Sequence, residues 1–161
     1  MLKEMKQDDF IVSKTDPKGR LTYVNQIFME MAGYSEEELL GKPHNIVRHP
    51  EMPKAVFKLL WKMVQNKEEI FAFVINKTKN GDDYWVYANV TASLNKQGQI
   101  IGYYSVRRKP NADALKLIQP LYKKMLQAEK SGGVEAGTKL LLDLLKEKGV
   151  DYNEFIISIQ K

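Results

Sequence analysis

IFAFVINKTKNGDDYWVYANVTASL, residues 70–94, decides the fold. Two runs rich in Val, Ile, Phe, Tyr and Trp flank Asn80-Gly81, a dipeptide suited to a tight turn at positive φ, so the stretch predicts a long β-hairpin. A second turn signal, Asn95-Lys-Gln-Gly98, leads into QIIGYYSVRRK, and Pro110 ends that third strand. Upstream, FIVSKTD (10–16) and LTYVN (21–25) surround Asp16-Pro-Lys-Gly19, with Pro and Gly where a type I turn prefers them. Between these two groups of strands lie short helices. QIFMEMAGY stops at Gly33, Ser35-Glu-Glu-Glu38 reads as a capping box, and a longer helix runs from about Pro53 to Asn66. The expected fold is therefore α+β: a five-stranded antiparallel sheet with short helices over one face, placed at residues 8–110.

The pattern changes at Asn111. ADALKLIQPLYKKMLQAEK is helical, with a kink or break expected at Pro120. Gly132-Gly133 reads as a hinge, VEAGTKLLLDLLKEKG as a second helical run, and Asp151 as the cap of a last helix. Leu140, Leu141, Leu144 and Leu145 make an apolar stripe. Residues 111–161 form a C-terminal helical tail whose stripe either folds back on the sheet or serves another protein.

Composition narrows the chemistry. The chain is 43% hydrophobic and 10% aromatic over 161 residues, enough to build a core. It has no cysteine, which excludes disulfides, thiolate metal sites and cysteinyl-flavin photochemistry. No apolar run approaches the roughly 20 residues needed to cross a bilayer, so a cytoplasmic location is expected. Net charge is +5. The clusters Lys77–Lys79 and Arg107–Lys109 read as solvated strand edges, with no nucleic-acid interface. No P-loop, dinucleotide-binding glycine fingerprint or G-x-S-x-G is present, so an enzyme is not expected.

Two features point to a ligand slot. In the long helix, Val56, Leu59, Leu60, Met63 and Val64 share one stripe, while Phe57 and Trp61 form a second pair on the adjoining face. A helix apolar on two faces should pack on the sheet and also wall something else. Asn76 interrupts an otherwise apolar strand; a buried amide there needs a hydrogen-bonding partner, unless it simply opens the hairpin loop.

NQIFMEMAGYSEEELLGKPHNIVRHPEMPKAVFKLLW (25–61) and NKTKNGDDYWVYANV (76–90) resemble the PAS domains of the Aer-type aerotaxis and energy-taxis sensors. The similarity is closest to short members made of a PAS domain and a helical tail. It covers residues 8–110 well and the tail more loosely. What it implies is a PAS fold holding FAD, whose redox state is read as a taxis signal. Without an output module, such a chain would act through a membrane chemoreceptor of methyl-accepting type, itself cytoplasmic or recruited to the inner membrane by that partner; a homodimer is a further option.

The resemblance also assigns a cofactor site. Arg48 and His49 match residues that the family needs for FAD, and a planar, permanently charged guanidinium suits a diphosphate. His49 could instead cap the nearby turn, and Asn25, matching a family asparagine, could equally be a helix cap. Asn76 matches a ring-facing asparagine just ahead of the hairpin glycine, and Phe57 and Trp61 would wall the ring. Phe71 matches an aromatic ring neighbour, although strand alternation sets it on the opposite face from Asn76. Val86 stands where light-sensing LOV domains carry a second asparagine, which disfavours a LOV-like function. The alternatives are haem, with His49 as axial ligand, and a cofactor-free interaction adaptor. No metal site is expected.

Overall fold

The computed structural model describes all residues from Met1 to Lys161. Five strands, β1 (Ile11–Thr15), β2 (Leu21–Val24), β3 (Ile70–Lys77), β4 (Asp83–Leu94) and β5 (Ile100–Arg108), form one antiparallel sheet in the order β2-β1-β5-β4-β3. Local chemistry sets its turns. The amide of Gly19 bonds the Asp16 carbonyl at 3.0 Å to close the first hairpin, and Gly81 takes the left-handed φ of +89° that the β3–β4 turn requires.

Helix α1 (Gln26–Ala32) ends in the left-handed Gly33, and α2 (Glu36–Leu39) carries the reciprocal capping box between Ser35 and Glu38. A single 3-10 turn, His44–Val47, precedes α3 (Lys54–Gln65). These elements cover one face of the sheet.

The other face is covered as well, and this decides between the two fates open to the tail. α4 (Ala112–Lys148) and α5 (Tyr152–Gln160) fold back against β3 and β4. The Tyr122 hydroxyl donates to the Phe73 carbonyl at 2.5 Å, and the Asn153 side chain accepts from the Phe71 amide at 3.0 Å. Met52 Sδ lies 3.4 Å from the Ile75 amide. The outer edge of β3, which would otherwise invite pairing with another chain, is thus covered in part by side chains of the tail and of the loop before α3.

Pro120 does not break α4. Ala114, Ile118, Tyr122 and Met125 continue one buried stripe across it, while Lys116 and Pro120 both face solvent. Water can satisfy the carbonyl that loses its amide partner, and packing holds the helix through. The bend comes at Gly133, whose φ of 71° and ψ of −169° lie in a region open almost only to glycine.

Candidate functional site

Between α3 and the sheet lies a cavity of about 250 Å³. Its origin is visible in the side chains. Among the strand positions facing it, Ser13, Val74, Ala88, Val90 and Ser105 are too small to meet α3 across the gap. From α3, Phe57, Leu60, Trp61 and Val64 form the opposite wall. Trp61 meets Tyr103 edge to face, ring centroids 5.2 Å apart, at one end of the slot. An apolar slot with a few convergent polar groups is the usual form of a small-molecule site.

The polar groups gather around Arg107. Its side chain lines the slot and the residue is 4% exposed, yet no carboxylate touches it. One terminal nitrogen donates to Ser13 Oγ at 2.7 Å, the other to His44 Nε2 at 2.9 Å, and Nε has no partner. Phe28 lies 5.2 Å beneath the guanidinium. Burial pushes the Arg107 pKa down to about 10. His44 is held neutral, its pKa pushed to about 3 by burial and then by the Arg107 charge. Because Nε2 accepts from arginine, the ring proton sits on Nδ1. Thr15 Oγ1, also on the slot, is buried without a partner. An uncompensated buried cation costs several kcal/mol unless something electron-rich lies against it. These residues therefore fit an anionic or carbonyl-rich planar guest.

Arg107 also corrects the reading of the Arg107–Lys109 cluster as a solvated edge. Strand alternation turns Arg107 inward beside Tyr103 and Ser105, while Arg108 alone of the arginine pair is exposed.

Of the residues assigned from sequence, Phe57, Trp61 and Asn76 line the slot, and Arg48 stands at its rim. Asn76 is buried opposite Tyr84, whose hydroxyl is pushed up to about 12 by burial. The Arg48 guanidinium is exposed and stacks 4.0 Å from the Phe57 ring centroid, on a backbone bridged to Asn76. Two exposed charged residues, Lys18 and Arg48, thus lie at the opening and Arg107 lies inside.

Three of the assigned residues do not line the slot. Asn25 is a helix cap: its Oδ1 accepts from the Phe28 and Val12 amides and its Nδ2 donates to the Phe10 carbonyl, which ties both atoms to the backbone away from the slot. His49 is buried outside the slot. Its Nε2 lies 2.8 Å from Asp83 Oδ1 and its Nδ1 accepts from the Glu51 amide, so both ring nitrogens have partners within the protein. Phe71 lies on the opposite face, stacked on Tyr87, because β3 pairs with β4 without a bulge from Ile70 to Lys77.

Comparison with known proteins agrees with this architecture. A family model described as PAS fold matches residues 21–107. The aerotaxis receptor of Escherichia coli K12 is 38% identical over 130 residues, 81% of this chain and 26% of that protein. The nitrogen fixation regulatory protein of Klebsiella pneumoniae is 26% identical over 104 residues, 65% of this chain and 21% of that protein. The chain thus spans about a quarter or less of these relatives. Among solved structures, the dark state of the blue-light photoreceptor Aureochrome1 LOV shares the fold with a TM-score of 0.61, at 24% identity over 68% of this chain and 82% of that one. A Light-Oxygen-Voltage domain studied with a flavin analogue gives a TM-score of 0.59 at 27% identity, over 73% and 88%.

Proposed function

The chain belongs to the PAS fold family, and on that premise we propose that it holds FAD in the slot beneath α3, reads redox state for energy taxis, and signals to a separate membrane chemoreceptor. The observation that carries this reading is Arg107, a buried cation without an acid, aimed into an apolar slot. Similarity to the aerotaxis receptor and to a Light-Oxygen-Voltage domain studied with a flavin analogue supports a flavin as the guest. FAD, rather than a mononucleotide, is supported by the free cation Arg48 at the rim, where a diphosphate would emerge.

The flavin would supply a ring that accepts electrons and gains negative charge on reduction. The protein's own contribution would be fourfold. Phe57 and Trp61 would wall the ring. Asn76 would offer an amide to its polar edge. Ser13 and neutral His44 hold the Arg107 guanidinium in place, so its positive potential is set before any electron arrives. Arg48 would hold the anionic linker at the opening.

Signal transfer follows from the sheet being shared. β3 presents Asn76 to the slot on one face, and Phe71 and Phe73 to the tail on the other. A change in the hydrogen bonds of the inner face alters the packing of α4 and α5 outside. The tail is then the surface read by the chemoreceptor or by a second copy of the chain. Here the flavin is a reporter and not a turnover centre. No helix is long and apolar enough to cross a membrane. The reading itself has the chain cytoplasmic and recruited to the inner membrane through its receptor.

The test is the visible spectrum of the purified protein and the mass of the ligand released on denaturation. Flavin bands and the mass of FAD support the proposal. A Soret band would replace it with haem, and colourless protein from several preparations would replace it with an adaptor role.

A further inference from the structure

Helix α3 walls the slot, but it does not cap itself. Its N-cap is Pro53, which makes no side-chain cap bond, and its first turn carries no acid. Its free amides are instead taken by a residue of the tail. Glu129 Oε1 accepts from the Lys54 amide at 2.9 Å and Oε2 from the Ala55 amide at 3.0 Å. One carboxylate thus satisfies two orphan donors and places negative charge at the positive end of the helix dipole.

The position of Glu129 depends in turn on the fold of the tail. After the bend at Gly133, α4 doubles back until Gly137 lies against this carboxylate. A Cβ added at Gly137 would stand 2.3 Å from Oε2 and 2.8 Å from Cγ of Glu129. Only glycine leaves the carboxylate room to reach α3. α3 also follows directly on the segment bearing Arg48, so its first turn joins the rim of the slot to the aromatic wall.

From this geometry we infer that Glu129 is a positioning residue for the ligand site: the tail holds α3 at the distance the slot requires, and displacement of the tail loosens the wall. This deepens the flavin reading and rests on it for the ligand's identity. Coupling of this kind is reciprocal, so whatever the slot holds biases the tail through the same carboxylate.

The experiment uses full-length protein as purified, with Glu129→Ala, Glu129→Gln and Gly137→Ala. Gly137→Ala separates the explanations, because alanine in a helix is ordinarily stabilising whereas here it evicts the carboxylate. Amide exchange at Lys54 and Ala55 is expected to accelerate about threefold to thirtyfold in Glu129→Ala and in Gly137→Ala, with Glu129→Gln between wild type and these two because it keeps one acceptor. Acrylamide quenching of Trp61, measured in a Trp85→Phe background, should rise in the same order, and flavin should dialyse away severalfold faster. Wild-type protection of Lys54 and Ala55 in Gly137→Ala would overturn the inference. So would faster exchange with Trp61 quenching unchanged, which would make Glu129 a helix cap and nothing more. Protein found without flavin defeats the proposed function, while the exchange and quenching results still decide the role of Glu129.

Discussion

Replacing Arg107 with methionine should affect the flavin-loaded and flavin-free proteins in opposite directions. Burial pushes the arginine pKa from its ordinary range down to about 10. At about 1.4 kcal/mol per pH unit, keeping that charge inside costs the folded chain about 3 kcal/mol. The sign follows from the depressed value. Below pH 10 the guanidinium is charged in folded and unfolded chains alike, so the cost is carried in full at neutral pH. It fades only as pH rises above about 10 towards the ordinary arginine range. Methionine fills similar space without charge but forfeits the bonds to Ser13 and His44, about 1 kcal/mol each. The flavin-free variant should therefore gain about 1 kcal/mol, a Tm rise of about 2–4 °C for a chain of this size. In loaded protein the loss of a fixed cation of this worth should lower the flavin's first reduction potential, on the order of 100 mV. Calorimetry of both forms and a spectroelectrochemical titration supply the readouts. Equal destabilisation of both forms, or a potential that does not move, would refute the claim that Arg107 is held in place for a ligand.

His49→Ala removes a buried imidazole bonded at both nitrogens, so it should cost about 2 kcal/mol and lower Tm by about 4–8 °C. Flavin content per folded chain should not change, as absorbance and calorimetry together will show. Phe71→Ala should cost about 2 kcal/mol and speed amide exchange in α5, leaving the visible spectrum as it was, since the ring packs under the tail and away from the slot. His44 titrates near 3 folded and near 6.5 unfolded. The unfolded chain therefore binds the extra proton between those values, and the contribution of this residue to stability falls with acidity by about 1.4 kcal/mol per pH unit across that window. In a pH series of urea melts, His44→Gln should flatten that part of the profile.

Local signals carried the fold. Asn80-Gly81, Asp16–Gly19, Ser35–Glu38 and Asp151 each specify a turn or a cap through their own side chains and φ preferences, and each forms where those residues stand. Pro120 was misleading because a buried stripe spanning it outweighs the loss of one solvent-facing hydrogen bond. The slot was half legible. Period-3.6 spacing put Phe57 and Trp61 on one face of α3, and period-2 alternation was enough to set Phe71 on the opposite side of the sheet from Asn76. The same alternation could have turned Arg107 inward beside Tyr103 and Ser105, had the run Arg-Arg-Lys not looked like an edge. His44 and His49 could not be sorted at all. Their partners lie at Arg107 and Asp83, 63 and 34 residues away, and only the closed sheet brings them together. Nor does any local pattern announce that Glu129 serves a helix 75 positions earlier.

The central claim is that small side chains on the sheet leave a dry slot for a planar electron carrier. Ala88 lines that slot at its floor and is 3% exposed. The decisive measurement is flavin absorbance per chain in wild type and in Ala88→Phe, with melts confirming that both fold. Wild type should carry one flavin per chain and the filled variant none, while staying cooperatively folded. Equal colour in the two proteins would contradict the account.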